Sequence, residues 1–167
     1  RDPSQRQTGR SAAIPAGALS RPGPEGKRLR YEDYYETAQK VSTLVDETRF
    51  DEAMRLLRGL IDSDLAELDK SVMCVNMAVV LQKMQRNDEA LQWYDRGIGY
   101  EALYLRFFVA ESKAGFLHQL GRNAESLEIY SQLLDQPYLT AQDNERMRNN
   151  VDALRQLIND AAAPAAR

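Results

Sequence analysis

The stretch that decides the fold is AVVLQKMQRNDEALQWYDRGI, residues 78–98. Its apolar residues recur every three or four positions on both sides of a polar interruption at Gln85, Arg86 and Asn87. That is the pattern of two amphipathic helices joined by a turn. Ala78 and Ala90 are small enough for two helices to cross closely, and Leu81, Leu91, Trp93 and Tyr94 can fill the space beside the crossing. The stretch then recurs. AGFLHQLGRNAESLEIYSQLL, residues 114–134, repeats Ala, Leu, Arg, Asn, Glu, Leu and Tyr in register 36 positions later. VSTLVDETRFDEAMRLLRGLI, residues 41–61, repeats Leu, Arg, Asp, Glu, Ala and Ile 37 positions earlier. A period of this size marks stacked repeats rather than a single globular core.

Working outward, the same periodicity predicts helices over residues 31–47 and 50–61, from 65 or 70 to 84, and over 88–98, 102–120, 124–134 and 141–159. Asp64 is expected to cap the third helix, and Thr140 the last. Gly97 and Gly99 read as the end of the fourth helix. Gly121 marks a turn, and Pro137 stops the sixth helix. One hairpin cannot bury both faces of its helices, so neighbouring hairpins must stack, and a polar-backed last helix covers the open end. The expected fold is all-α: an α-solenoid of three helix-turn-helix repeats with a C-terminal capping helix, over residues 31–160 and with no strand.

Composition narrows the function. The chain has one cysteine, Cys74, and one histidine, His118, which leaves no disulfide, no Cys-type metal cluster and no histidine constellation to expect. His118 has no nucleophile at a triad spacing, and no glycine-rich phosphate loop is present, so no catalysis and no cofactor are expected. Asp51-Glu52 and Asp88-Glu89 lie in first turns, where the helix dipole accounts for them. No apolar run reaches the roughly 18 residues of a membrane span. The first residue is Arg rather than Met, which reads as processing or truncation. A signal segment removed earlier is compatible with it, so the expected setting is soluble, cytoplasmic or periplasmic.

The net charge of −3 conceals an asymmetry: residues 1–30 carry +5 and the rest −8. That first segment holds Pro3, Pro15, Pro22 and Pro24, has no helical period, and offers only Ile14 and Leu19 as large apolar residues before Leu29. It reads as a flexible basic arm rich in Pro, Gly and Ala, unable to order itself alone. Either it folds back on the acidic body or it reaches a partner, the latter being preferred. Residues 161–167 read as a frayed tail. Nucleic acid is not expected, because the basic residues are scattered without aromatics and the body is acidic.

The strings RFDEAMRLL, RNDEALQWY and RNAESLEIY resemble the turn and second helix of tetratricopeptide repeats, over about residues 31–138. Carried over, Ala53, Ala90 and Ser126 take the close-contact place. Met54, Leu91 and Leu127 take the leucine place, and Leu57, Tyr94 and Tyr130 the aromatic one. Val41, Ala78 and Ala114 take the small-residue place on the first helices. The spacings are longer than the family's, and only Pro137 matches its repeat-ending proline. The resemblance implies that the first helix of each hairpin lines an inner groove. From it we expect Tyr35, Gln39, Ser42, Val75, Asn76, Val79, Lys83, Phe108, Glu111 and His118 to face a protein or peptide partner. Relatives that clamp chaperone carboxylates use lysines, an arginine and asparagines. Here only Asn76 matches, with Ala38, Ser42, Phe108 and Ser112 at the other places, so that ligand class is not expected.

The function expected is a non-catalytic scaffold that helps assemble a complex. Two alternatives stand beside it: an accessory subunit of a larger enzyme or membrane complex anchored by the arm, and a sensor that takes a short signalling peptide. Contact with a membrane is expected only through a partner, and homo-oligomerisation is left open. The aromatic-rich residues 100–108 are a second candidate partner surface.

Overall fold

The computed structural model describes residues 31–163. They form α1 (Tyr31–Asp46), α2 (Phe50–Ile61), α3 (Glu67–Lys83), α4 (Asn87–Ala102), α5 (Phe108–Gln119), α6 (Asn123–Leu133) and α7 (Ala141–Ala162), with no strand among them. Each helix packs on its neighbours in sequence, and α3 also touches α5. The order is that of an α-solenoid: three hairpins followed by a capping helix. Ile14 and Leu19, with the rest of residues 1–30, lie outside the described residues, as do residues 164–167.

Three turns of one design set the hairpins. Each second helix opens on an arginine: Arg49 before α2, Arg86 before α4, Arg122 before α6, with nearly equal backbone angles (φ −86, −89 and −81). The residue before each arginine is left-handed: Thr48 at φ 59, Gln85 at φ 59, Gly121 at φ 74. The arginine N–H then donates back to a buried leucine carbonyl, Leu44, Leu81 or Leu117, at 2.8–2.9 Å. None of these arginines caps its helix in the usual way, since a guanidinium has no acceptor. Instead each guanidinium forks onto the glutamate three residues ahead. Nε and Nη2 donate to the two carboxylate oxygens of Glu52, Glu89 and Glu125 at 2.6–2.8 Å. A carboxylate in the first turn also favours the positive helix end.

Small residues let the helices meet. Ala53, Ala78, Ala90, Ala114 and Ser126 are all fully buried. Ser126 spends its hydroxyl by donating to the Ala114 carbonyl at 2.8 Å, so the third hairpin keeps the contact with a polar residue. Leu57, Leu81, Tyr94 and Leu117 fill the flanking space. Tyr94 lies with its ring centroid 6.0 Å from that of Phe116 and accepts from Gln82 at 2.7 Å. Met147, Val151 and Leu154 form the buried stripe of α7, whose N-terminus carries the expected Thr140 cap, reciprocated by Asp143.

Several boundaries differ from the sequence expectation. The cap position of α3 is Ala66, not Asp64, and Ser63 Oγ accepts from Leu65 N at 3.3 Å just before it. Gly97 and Gly99 do not end α4, which runs through both to Ala102. Gly97 is instead a contact: a Cβ there would lie 3.0 Å from Val109 Cγ1, 3.1 Å from Cys74 Cβ and 3.3 Å from the Ser71 carbonyl. The expected long helix from residue 102 does not form either. Residues 103–107 are a turn, with Leu105 at φ 53, and α5 begins at Phe108. The cause is Glu101. Its buried carboxylate accepts from Val109 N at 2.9 and 3.0 Å and from Ala110 N at 3.0 Å, satisfying free donors of a new helix start. Burial raises the Glu101 carboxyl above the ordinary glutamate value, and the backbone donors of Val109, Ala110 and Phe108 oppose that rise. At the other end, α7 extends to Ala162, so residues 161 and 162, expected in the tail, are helical.

Three predictions follow from these contacts. Gly97→Ala should destabilise, although alanine is the better helix former by about 1 kcal/mol; the β-branched Val109 and the backbone of α3 have little room to yield. Gly99→Ala, which meets nothing within 4 Å, should stabilise by up to about 1 kcal/mol. Urea unfolding of the pair checks the contrast. Glu101→Ala should cost about 1–3 kcal/mol by stranding buried N–H groups, read by the same method. The forks predict acid lability. The arginine hydrogen bonds hold Glu52, Glu89 and Glu125 below their ordinary value of 4.5. The folded state therefore binds these protons more weakly than the unfolded one. Their contribution is complete above 4.5 and fades as pH falls through the lower folded values. Glu101, shifted the other way, opposes the trend. Replacing all three glutamates by glutamine should flatten stability against pH below 4.5, and salt should flatten it in the parent.

Candidate functional site

The two helix spacings bring residues of α1, α3 and α5 into rows. Tyr35 on α1, Val72 on α3 and Phe108 on α5 occupy one register position, 37 and 36 residues apart. All three are exposed apolar side chains, at 55, 39 and 54 %. One turn on, the row is Gln39, Asn76 and Ser112; next come Ser42, Val79 and Gly115, then Asp46, Lys83 and Gln119. Residues three and four apart share a helix face, so each helix presents a stripe that is apolar at its N-terminal end and polar at its C-terminal end.

Ala38, Val41, Ser42 and Val45 of α1 face Asn76, Val79 and Val80 of α3 across an open cleft of about 180 Å³. Ser42, Asn76 and Val79 are thus brought together, and Tyr35 lies on the same stripe of α1, where it accepts from Gln39 Nε2 at 3.1 Å. Val75 does not join them. It is buried in the core, because α3 lies between two hairpins and turns that position inward. Lys83 is exposed but lines no part of the cleft. Glu111 is held by a fork from Arg146 of α7, both bonds at 3.1 Å. His118 sits near the α5–α6 turn with Nδ1 2.7 Å from Asn123 Oδ1.

Val72, which is not among the residues expected from the sequence to face a partner, is exposed on this row. The repeat register could have found it, since Val72 lies midway between two expected groove residues. The α4–α5 turn adds Leu103, Tyr104 and Leu105, all exposed. Leu105 combines an exposed side chain with a left-handed backbone that bulky residues rarely adopt. Tyr104 Oη donates to Glu67 Oε2 at 3.3 Å, which ties the turn to the start of α3. Tyr100, by contrast, is engaged beside Arg96, whose guanidinium also lies 5.0 Å from the Trp93 ring. The aromatic segment expected as a surface therefore divides: Tyr100 packs, and residues 103–108 are mostly exposed.

Among the described residues no group of three or more His, Cys, Asp or Glu side chains is placed to hold a metal ion. The Cys74 thiol is buried, and burial pushes it up to about 11, so it is held as the unreactive thiol. No helix of the described residues is long and apolar enough to cross a membrane.

A model of the family described as tetratrico peptide repeat matches residues 24–97, which take in α1, α2, α3 and most of α4. No curated protein and no solved structure matches the chain significantly. Repeats of this family generally mediate protein–protein interaction and complex assembly, without catalysis. The third hairpin repeats the arginine turn and small-residue contact of the matched two, and the fold of the described residues is that of a tetratricopeptide-type α-solenoid.

Proposed function

We propose that the inner face of α1, α3 and α5 holds a segment of a partner protein and so helps build a complex, with no chemistry of its own. The observation that carries this reading is the row Tyr35, Val72 and Phe108. Three equivalent positions in three repeats each expose an apolar side chain to water, where a solvated helix face would be polar. Beside the row, Asn76 offers an amide donor and acceptor, and the cleft between α1 and α3 is large enough for one aliphatic side chain of a partner. Apolar anchors with a few hydrogen-bonding groups suit an extended or helical peptide. A carboxylate clamp is not supported, since the row has no lysine or arginine at its centre.

The test is affinity capture with two baits: the parent chain, and the chain carrying Asn76→Ala with Val79→Glu. A partner that uses this face is retained by the first and lost by the second, while circular dichroism of the two baits stays the same. Equal capture by both would move the binding surface to the exposed turn at residues 103–108.

A further inference from the structure

Two open clefts meet on α2. One, of about 320 Å³, lies between Lys40 and Leu44 of α1 and Glu52, Arg55 and Leu56 of α2. The other, of about 480 Å³, lies between Asp51, Met54, Arg55 and Arg58 of α2 and Arg86 at the head of α4. Arg55 lines both, so they form one strip in which four cations stand against two carboxylates. The helix period makes the strip. Asp51, Arg55 and Arg58 follow one another by four and three positions, on one stripe of α2. Ala53, Met54, Leu57, Leu60 and Ile61 take the buried side of the same helix.

Little of this positive charge is spent within the chain. Lys40, Arg55 and Arg58 are exposed, and their side chains form no ion pair or hydrogen bond among the described residues. Glu52, which shares the smaller cleft, is already held at both oxygens by the Arg49 fork. Glu89, which feels the charge of Arg58, is held in the same way by Arg86. Asp51 stands one turn before Arg55 without an ion pair to it among the described residues. Residues 31–167 carry −8, so this strip has the opposite sign to the body that bears it.

The geometry points to a second docking surface here, for an acidic segment of a partner protein with apolar side chains set between its carboxylates. A guanidinium takes a carboxylate through two parallel hydrogen bonds. The cations are spread along two clefts rather than gathered at one point, which suits a series of carboxylates better than a single small anion. Leu44, Met54 and Leu56 give the clefts apolar walls for the side chains between them. No aromatic residue lines either cleft, so nucleic acid bases would find nothing to stack on. The surface goes beyond the reading above, because none of its residues belongs to the rows of α1, α3 and α5.

The experiment uses the full chain and a labelled peptide repeating Glu-Glu-Leu, followed by fluorescence anisotropy at low salt. Arg55→Gln with Arg58→Gln should weaken binding by about tenfold or more, the loss expected for charge-assisted contacts. Arg106→Gln with Arg155→Gln removes the same charge from exposed sites elsewhere and should change affinity by less than about twofold. Asp51→Asn should tighten binding, and thermal melts followed by circular dichroism check that each variant is folded. Equal affinity of the parent and the Arg55, Arg58 variant would overturn the inference, placing the anion elsewhere on the chain. Equal losses in the two arginine pairs would overturn it in favour of net charge alone. An oligothymidylate that binds more tightly than the peptide, and is lost with Arg55 and Arg58, would overturn it in favour of nucleic acid. The variant Asn76→Ala with Val79→Glu should still bind the peptide, so failure here and failure of the groove reading are read separately.

Discussion

Close approach of helices at small residues is the constraint on which the rest depends. Ala53, Ala78, Ala90, Ala114 and Ser126 have no exposed surface, and Gly97 sits so near Val109 and Cys74 that a methyl group would have to displace them. With backbones this close, the flanking large side chains can bury completely, as Leu57, Met77 and Leu117 do. A protein interior tolerates few voids, so enlarging the contact residue separates the helices and loosens every side chain wedged beside them. The same contact repeats at intervals of 36 and 37 residues, which is why side chains of α1, α3 and α5 fall into rows.

The hairpin turns hold the register rather than supplying the bulk of stability. Each turn combines a left-handed residue, a returning hydrogen bond to a buried leucine and an exposed arginine–glutamate fork. Exposed pairs of this kind contribute little individually, but the fork fixes where the second helix starts. Between the second and third hairpins the chain uses a different device. Glu101 reaches from the end of α4 to the first N–H groups of α5 and stops one helix while starting the next. That turn leaves Leu103 and Leu105 in solvent.

Much of this was legible in the sequence because it is periodic. Ala78, Ala90, Ala114 and Ser126 announce the crossings, and the repeated RF or RN string announces the second helices. What was not legible depends on contacts distant in sequence. Gly97 looks like a helix end, and only the proximity of Val109 and Cys74 shows it to be a packing residue. Glu101 looks like a solvated charge, and only the position of α5 makes it a buried cap. Val75 and Val72 have the same side chain on the same helix. Which of them faces the core depends on where α4 and α5 sit, and the sequence reading placed Val75 on the open face, whereas it is buried and Val72 exposed.

The account stands or falls on the small-residue crossing, and Ala90→Leu examines it most directly. Ala90 is fully buried beside Leu91 and Tyr94 in the central hairpin, and leucine is nearly as good a helix former as alanine. Equilibrium urea unfolding should show a loss of about 1–3 kcal/mol from overpacking, with the helical circular dichroism signal at zero urea unchanged. Unfolding at the parent's midpoint, with the same slope, would mean that the helices do not meet at Ala90 and that the repeat packing described here is wrong.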